Sequence, residues 1–308
     1  MNVRTVFMGS PEFALSSLRL LAEQYPVAGV VTQPDRPAGR GRTLTPPPVK
    51  SLAIELGLPL IQPRRLREPE ALQQLREWEP ELIVVAAFGQ ILRPEVLDLP
   101  RYGCINVHAS LLPRWRGAAP IPAAILHGDT HTGITIMRMD PGVDTGPLLS
   151  QRATSITPDE NAAQLSQRLA DLGAQLLVET LPGYLSGRLQ PQPQPDVGAT
   201  YAPMLKKEDG QLDFNQPAEE LERRVRAFNP WPGAFMEWHG APLKIHRASP
   251  SHEPVNQPPG TRLVIAGWPA VATHQGSLLL EELQPAGKRP ISGQDFLRGA
   301  RGWTTDSP

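Results

Sequence analysis

The feature that most constrains the fold is an alternation of short apolar runs and longer segments of helical spacing along the first half of the chain. Residues 5–8 form an apolar run that ends at Gly9, and residues 27–32 form a second one. Residues 82–87 consist only of leucine, isoleucine, valine and alanine, a composition typical of a strand that helices cover on both faces. This alternation predicts an α/β domain built on a parallel sheet.

A run of alternating glutamine and proline at residues 190–195 interrupts this pattern. Proline fixes φ and lacks an amide hydrogen, so the run disfavours both a helix and a central strand and predicts an extended linker. Short strand-like runs between residues 234 and 283 then indicate a small β-barrel. The sequence therefore predicts an N-terminal domain of residues 1–189, a linker of residues 190–206 and a C-terminal domain of residues 207–308.

The composition excludes several classes of protein. The chain has 308 residues and a formal net charge of −1, so it is long enough for about two domains and is not a globally basic nucleic-acid binder. No apolar run approaches the roughly 20 residues that span a bilayer, and the first residues lack a signal-peptide pattern, so we expect a cytoplasmic protein with no membrane partner. The single cysteine, Cys104, excludes an internal disulfide and a cysteine-rich zinc site. We predict no metal site, because the histidines are scattered along the chain.

Two polar residues, Asn106 and His108, stand in an otherwise apolar stretch. If residues 105–108 form a strand, a spacing of two puts both side chains on one face, close to the strand end at which open α/β sheets bind ligands. An amide can stabilise an oxyanion, and an imidazole exchanges protons near neutral pH. The pair indicates a site that polarises a carbonyl, although ordinary polar residues at a strand end give the same pattern.

A second candidate is the loop of residues 140–146, which follows a predicted strand at residues 133–139. It contains two aspartates, two glycines and a proline, which predict a tight turn. An aspartate in this loop could orient His108 and favour its protonated form. A surface loop closed by an Asx turn is the alternative, and the residues alone do not decide between the two.

Residues 106–120, N-V-H-A-S-L-L-P-R-W-R-G-A-A-P, resemble the signature segment of the folate-dependent formyltransferases, and in particular of the methionyl-tRNA formyltransferase family. Further segments resemble the same family in order along nearly the whole chain: residues 7–14, 85–90, 140–146, 200–203, 228–234 and 283–296. The resemblance implies a Rossmann-like formyltransferase domain followed by a small OB-like β-barrel domain that binds tRNA. Pro122 and Ala123 depart from the family, which usually has Gln-Arg there.

The resemblance also implies roles for particular residues. It implies that Asn106, His108 and Asp144 form a catalytic triad. It implies folate contacts from three segments: Phe88, Gly89, Gln90, Ile91 and Leu92; Ser110, Leu111, Leu112 and Pro113; and Asp140, Gly142 and Val143. The implied reaction transfers the formyl group of 10-formyltetrahydrofolate to the α-amine of methionyl initiator tRNA. We expect a monomeric enzyme that needs no metal.

The loop of residues 35–42 carries three arginines, Arg36, Arg40 and Arg42, among glycines. Arginine binds phosphate through bidentate hydrogen bonds, and the matching loop of the family is an insertion that reaches the acceptor arm of tRNA. We therefore expect these arginines, together with Lys206 and Lys207, to contact tRNA. A solvated flexible loop is the alternative interpretation.

Other functions are compatible with the same residues. A folate-dependent formyltransferase acting on a small amine, such as a nucleotide precursor or an amino sugar, would use the same triad, but the arginine loop and the C-terminal domain argue against it. A non-catalytic RNA-binding module on this scaffold would not need the triad. Hydrolysis of the folate to formate, with water replacing the amine, stays open as a side activity.

Overall fold

The computed structural model describes residues 2–38 and 43–305. The chain forms two compact units that are discontinuous in sequence. The first contains Met1–Pro120, His131–Ser155 and Ser166–Pro203; the second contains Ile121–Thr130, Ile156–Leu165 and Met204–Pro308. The linear division at residues 189 and 206 stays a prediction. None of the helices among the described residues is both long enough and apolar enough to cross a bilayer.

The described residues up to 203 form a series of strands and α-helices. The strands are β1 (Thr5–Gly9), β2 (Val27–Val31), β3 (Arg36–Ala38), β4 (Thr43–Thr45), β5 (Leu60–Ile61), β6 (Leu82–Ala86), β7 (Cys104–His108), β8 (Arg116–Gly117), β9 (His131–Arg138), β10 (Leu148–Ser155) and β11 (Tyr201–Ala202). The helices are α1 (Leu15–Gln24), α2 (Pro48–Glu55), α3 (Pro69–Glu77), α4 (Pro94–Leu97), α5 (Pro120–Leu126) and α6 (Ala162–Leu185).

A seven-stranded sheet in the order β10-β9-β7-β6-β1-β2-β5 forms the centre of the first unit. The strands from β7 to β5 in this order are parallel, which confirms the prediction of an α/β domain with a mostly parallel sheet. All residues of β1 and β6 are buried, as their apolar composition predicts. Two small pairs, β3 with β4 and β8 with β11, lie outside this sheet.

The strand predicted at residues 133–139 is β9, and it runs antiparallel to β7. A parallel neighbour would require a crossover back to the amino end of β7. The chain instead enters β9 beside the carboxyl end of β7, because Thr135 pairs with His108 and Arg138 pairs with Ile105. The residues after β9 then fold back, and the Arg138 amide donates to the carbonyl of Pro147 at 2.9 Å. Residues 139–147 therefore form a closed loop beside β7.

The second unit is built on an antiparallel half-barrel. Its elements are α7 (Ala218–Ala227), β12 (Ala234–Trp238), β13 (Ala241–Ser251), β14 (Arg262–Ile265), β15 (Trp268–Ala272), β16 (Ser277–Gln284), β17 (Ile291–Ser292) and α8 (Gly293–Gly299). The strand order is β12-β13-β16-β15-β14, with β17 paired to β16. Leu221 and Val225 of α7 pack in one core cluster with Leu243, Leu280 and Trp303. The small C-terminal β-domain predicted from the sequence is confirmed, as an open sheet with β12 and β14 at its edges.

Candidate active site

Three groups surround the carboxylate of Asp144, and two of them donate hydrogen bonds to it. The Asn106 amide donates from Nδ2 to Oδ1 at 3.3 Å, and the backbone N–H of Gly117 donates to Oδ2 at 2.8 Å. The imidazole of His108 places Nδ1 at 3.6 Å from Oδ2, and its side chain is 6% exposed. The structure therefore brings the three residues of the predicted triad together: Asn106 and His108 share one face of β7, and the loop after β9 places Asp144 beside them.

The hydrogen bond of His108 to the main chain indicates which ring nitrogen carries a hydrogen. Nε2 lies 2.9 Å from the carbonyl oxygen of Trp115, and because a carbonyl only accepts, Nε2 carries a hydrogen. Nδ1, which faces the Asp144 carboxylate, is therefore the ring nitrogen that can accept a hydrogen bond or a proton.

The loop that carries Asp144 has a constrained backbone. Asp144 has a φ of +52°, a left-handed conformation that costs a non-glycine residue roughly 1–2 kcal/mol. The carboxylate of Asp140 accepts hydrogen bonds from the Gly142 amide at 3.0 Å and from the Thr145 hydroxyl at 2.7 Å. A Cβ at Gly146 would overlap the Arg138 carbonyl oxygen. The loop is thus a tight turn that holds Asp144 towards β7.

The segment after β7 is held by buried hydrogen bonds. The hydroxyl of Ser110, which is fully buried, donates to the Arg114 carbonyl at 2.6 Å. The Thr135 hydroxyl donates to the Ser110 carbonyl at 2.6 Å and accepts from the Leu112 amide at 3.1 Å. Leu112 is buried, whereas Leu111 and Pro113 are partly exposed. The Ser110 side chain holds the turn, and the predicted folate contacts of these four residues stay a prediction.

The predicted folate segment of residues 88–92 contains both buried and exposed residues. Phe88 and Leu92 belong to a core cluster, whereas Gly89 is exposed and Ile91 is 77% exposed. The Gln90 side chain accepts from the Leu66 amide at 2.7 Å, so it anchors the segment. In the loop after β9, Val143 is also exposed. Ile91 and Val143 thus have the most exposed apolar side chains among the predicted folate residues.

A cavity of about 350 Å³ adjoins Gln90 and Ile91. Its lining contains a group of arginines that was not predicted from the sequence. Arg65, Arg67 and Arg93 line it. The run Arg64-Arg65-Leu66-Arg67 was the available signal, but its proximity to residue 93 depends on the fold. Glu95 also lines the cavity, so the three arginines leave an excess of positive charge, which suits an anionic ligand.

Residues of the predicted linker also reach the site. The Thr200 hydroxyl accepts from the Trp115 amide at 2.9 Å, and the Thr200 carbonyl accepts from the Arg116 amide at 2.9 Å. Trp115 in turn supplies the carbonyl that fixes the His108 tautomer, and it has a φ of +61°. The side chain of Gln194 contacts the loop of Asp144. The glutamine and proline content of this segment indicates an extended conformation but none of these contacts.

The residues predicted to bind tRNA are only partly described. Arg36 is exposed in β3 and donates to the Gln33 side chain at 3.1 Å, whereas Arg40 and Arg42 lie outside the described residues. Lys206 and Lys207 are exposed in the second unit. Their contacts with tRNA stay a prediction.

Cys104, on the same strand as the triad residues, is a buried thiol. Burial raises its pKa to about 12, so the thiol stays protonated near neutral pH and is not a nucleophile. Within residues 2–38 and 43–305, no group of three or more His, Cys, Asp or Glu side chains could hold a metal ion. The requirement for no metal stays a prediction.

Comparisons with known proteins show the family to which the chain belongs. A family model described as formyl transferase matches residues 4–181, and one described as formyl transferase, C-terminal domain, matches residues 204–301. The methionyl-tRNA formyltransferase of Myxococcus xanthus (strain DK1622) is 53% identical over 299 residues, which cover 96% of this chain and 95% of the relative. This chain therefore belongs to the methionyl-tRNA formyltransferase family.

Solved structures share the fold at lower identity. The sugar 3N-formyl transferase WlaRD has a TM-score of 0.67 and 15% identity, with 94% of this chain and 100% of that chain covered. HypX from Aquifex aeolicus in complex with tetrahydrofolic acid has a TM-score of 0.65 and 16% identity, with 100% of this chain but only 48% of that chain covered. At these identities the likeness establishes the common fold.

We predict that Gly117→Ala abolishes most formyl-transfer activity. Gly117 has a φ of +109°, and an added Cβ would lie 2.6 Å from the Ala202 carbonyl oxygen. The backbone must then shift, which displaces the N–H that holds Asp144. A displacement of about 1 Å is enough to lower the turnover number about 100-fold. Steady-state kinetics and thermal unfolding measure the two effects.

Gly187→Ala is the matched control, because Gly187 also has a positive φ, +75°, but has open space around its Cα. We expect this variant to lose about 1 kcal/mol of stability and to keep wild-type turnover. Equal activity of the two variants would contradict the assigned role of the Gly117 amide.

Proposed function

We propose that this chain transfers the formyl group of 10-formyltetrahydrofolate to the α-amine of methionyl initiator tRNA, giving formylmethionyl-tRNA for translation initiation. The convergence of Asn106 and His108 on the Asp144 carboxylate carries the proposal. The near-full-length relative at 53% identity is named for this activity, and a protein of similar fold binds tetrahydrofolic acid. A cytoplasmic location, a monomeric state and independence from metal are part of the same proposal.

Asn106 is suited to stabilise the charge that develops on the formyl oxygen. One N–H of its amide bonds to Asp144, which fixes the orientation of the group, and the second N–H of the same nitrogen is available to a ligand. When the amine attacks the formyl carbon, the carbonyl oxygen becomes an oxyanion. A donor fixed before the reaction stabilises this oxyanion without reorganisation.

His108 and Asp144 are suited to move the proton that the reaction releases. The attacking amine must lose a proton, and the leaving nitrogen of the folate must gain one. His108 Nδ1, which lies 3.6 Å from Oδ2 of Asp144, can accept that proton from the amine and donate it onward. The proton then passes to the leaving nitrogen, so the transfer is balanced and no metal takes part in it.

The first test is substitution of the triad. We expect Asn106→Ala to lower kcat by about 10²–10³-fold, the effect of removing one oxyanion donor, and His108→Ala and Asp144→Asn to lower it at least as much. Asn215→Ala is the matched control: it removes a similar Asn–Asp hydrogen bond, of 2.8 Å, on the surface of the second unit. Near wild-type turnover of both His108→Ala and Asp144→Asn would show that the triad is wrongly assigned.

We also propose that the arginine cavity receives the glutamate end of the folate. The carboxylates of this glutamate can pair with the guanidinium groups of Arg65, Arg67 and Arg93. The cavity also adjoins the exposed Ile91, one of the predicted folate residues. We expect Arg65→Ala with Arg93→Ala to raise KM for the folate about 10-fold and to leave kcat unchanged. Arg76→Ala, on α3 but outside the lining of the cavity, is the control.

A donor that lacks the glutamate makes this test specific. With 10-formyltetrahydropteroate the wild-type enzyme and the double arginine variant should have the same KM, because the carboxylates are absent. If the variant raises KM equally for both donors, the arginines do not bind the glutamate end.

The acceptor is proposed to bind through the arginine loop. Arginines that contact phosphate release counterions, so each contact adds about 0.9 to the slope of log affinity against log salt. We expect Arg40→Ala with Arg42→Ala to weaken tRNA binding and to lower this slope by up to about 2, while KM for the folate is unchanged. Arg19→Ala, a surface arginine paired with Glu55, is the control. Affinity that does not depend on salt would contradict phosphate recognition by the loop.

A formyl transfer to a small amine is the second candidate, because WlaRD acts on a sugar and has the same fold. One assay distinguishes the two. The chain is incubated with 10-formyltetrahydrofolate and methionyl initiator tRNA, uncharged tRNA or an amino sugar nucleotide. Formylation of the charged tRNA alone supports the proposal, and formylation of the sugar alone overturns it.

A further inference from the structure

The segment predicted as a linker is attached to the first unit at two places. Leu148 and Gln192 exchange backbone hydrogen bonds at 2.7 and 2.8 Å, directly after the loop of Asp144. At its other end, β11 pairs with β8, directly after the turn that follows β7. Residues 192–202, which we call the strap, therefore run between the two segments that supply the partners of His108 and Asp144.

Within the strap, the side chain of Gln194 bonds to the backbone of the catalytic loop. Its Nε2 donates to the Asp144 carbonyl at 2.8 Å and to the Gly146 carbonyl at 2.7 Å. Both hydrogens of the amide thus bond to carbonyls that flank Thr145, directly after Asp144, which has a positive φ. A strained residue of this kind persists only when its surroundings hold it, and the two bonds of Gln194 do so.

The Gln194 amide also contacts a second segment of the site, residues 116–117. Its Oε1 accepts from Arg116 Nε at 3.2 Å and from Nη2 at 2.9 Å, and Arg116 is buried. Arg116 directly precedes Gly117, whose N–H bonds to the Asp144 carboxylate at 2.8 Å. Gln194 therefore closes a ring of contacts that fixes the main chain of Asp144 and the donor to its carboxylate against each other.

The sequence around Gln194 favours this role. A residue before proline is restricted to extended conformations, and Pro195 follows Gln194 while Pro193 precedes it. The backbone of Gln194 thus loses little conformational freedom when its side chain bonds to the loop. The prolines of the strap keep the segment extended, and they also pre-organise Gln194 for its contact with the loop of Asp144.

We infer that Gln194 is a positioning residue for formyl transfer, acting through Asp144 by holding the carbonyls of Asp144 and Gly146 and the guanidinium of Arg116. The inference rests on the proposed role of Asp144 in catalysis. Gln194 does not touch the reacting atoms; it sets where the Asp144 carboxylate lies relative to Asn106 and His108. Its loss should therefore lower kcat and leave the binding of both substrates intact.

The test is Gln194→Met, which keeps the length of the side chain and removes its hydrogen bonds. We expect kcat to fall about 10- to 100-fold, with KM for the folate and for the tRNA within about twofold of wild type. Gln190→Met is the matched control: the same change, also before a proline, at a side chain that bonds to the Gly187 carbonyl. A wild-type kcat for Gln194→Met would overturn the inference, as would a rise in KM without a loss of kcat.

Gln194→Glu separates the two ends of the amide and serves if Gln194→Met does not fold. A glutamate can still accept from Arg116, but its carboxylate cannot donate to the carbonyls of Asp144 and Gly146. We expect the kcat of this variant to fall as in Gln194→Met, while its thermal unfolding stays close to wild type. If Gln194→Glu has wild-type turnover, the bonds to the catalytic loop do not position Asp144.

A double variant separates this inference from the proposed triad. If Gln194 acts through Asp144, Gln194→Met should cost little further activity in an Asp144→Asn background. If the loss of kcat in the double variant equals the product of the losses in the two single variants, Gln194 does not act through Asp144 and the inference is overturned. Near wild-type activity of Asp144→Asn alone would instead contradict the proposed role of Asp144, whatever Gln194 does.

Discussion

The site depends on the Asp144 carboxylate and on the three groups that surround it. A partly buried carboxylate is stable only when hydrogen-bond donors compensate for its lost hydration, and here the donors are Asn106 of β7 and Gly117 of β8. The loop after β9 must bend back to bring the carboxylate to them. Its tight turn, its positive φ at Asp144 and the folding back of residues 139–147 all follow from that requirement.

The fold was predictable where one residue pattern determines one environment. Residues 82–87 are entirely apolar, so a strand covered on both faces is the natural outcome, and β6 is buried throughout. The direction of β9 was not predictable, because an apolar run is the same whether the strand is parallel or antiparallel to its neighbour. Strand β10 was missed for a related reason: its residues alternate between covered and exposed positions with few apolar side chains, so periodicity gave a weak signal.

The site was predictable to the extent that local spacing controls geometry. Asn106 and His108 are two residues apart on a strand, so they share a face wherever the strand lies. Asp144 is 36 residues beyond His108, and only the resemblance to the family associated it with them. The hydroxyl of Ser110 bonds to the Arg114 carbonyl, a contact that could not be predicted because the composition of a turn does not indicate which of its polar groups face inward; the folate contact of Ser110 stays a prediction.

The strap shows why domain-level resemblance is an incomplete guide to a site. The two family models match residues 4–181 and 204–301, so the segment with Gln194 and Thr200 lies between them. Its glutamine and proline content indicates an extended chain and nothing about partners. Its physical role follows from where it is attached. An isolated bridge between Gln192 and Leu148 and the two-residue pair of β11 with β8 place the Gln194 amide across the loop of Asp144 and the Thr200 hydroxyl against Trp115. A connecting segment can therefore take part in positioning catalytic groups, because an extended chain with alternating prolines is stiff enough to hold a side chain at a defined place.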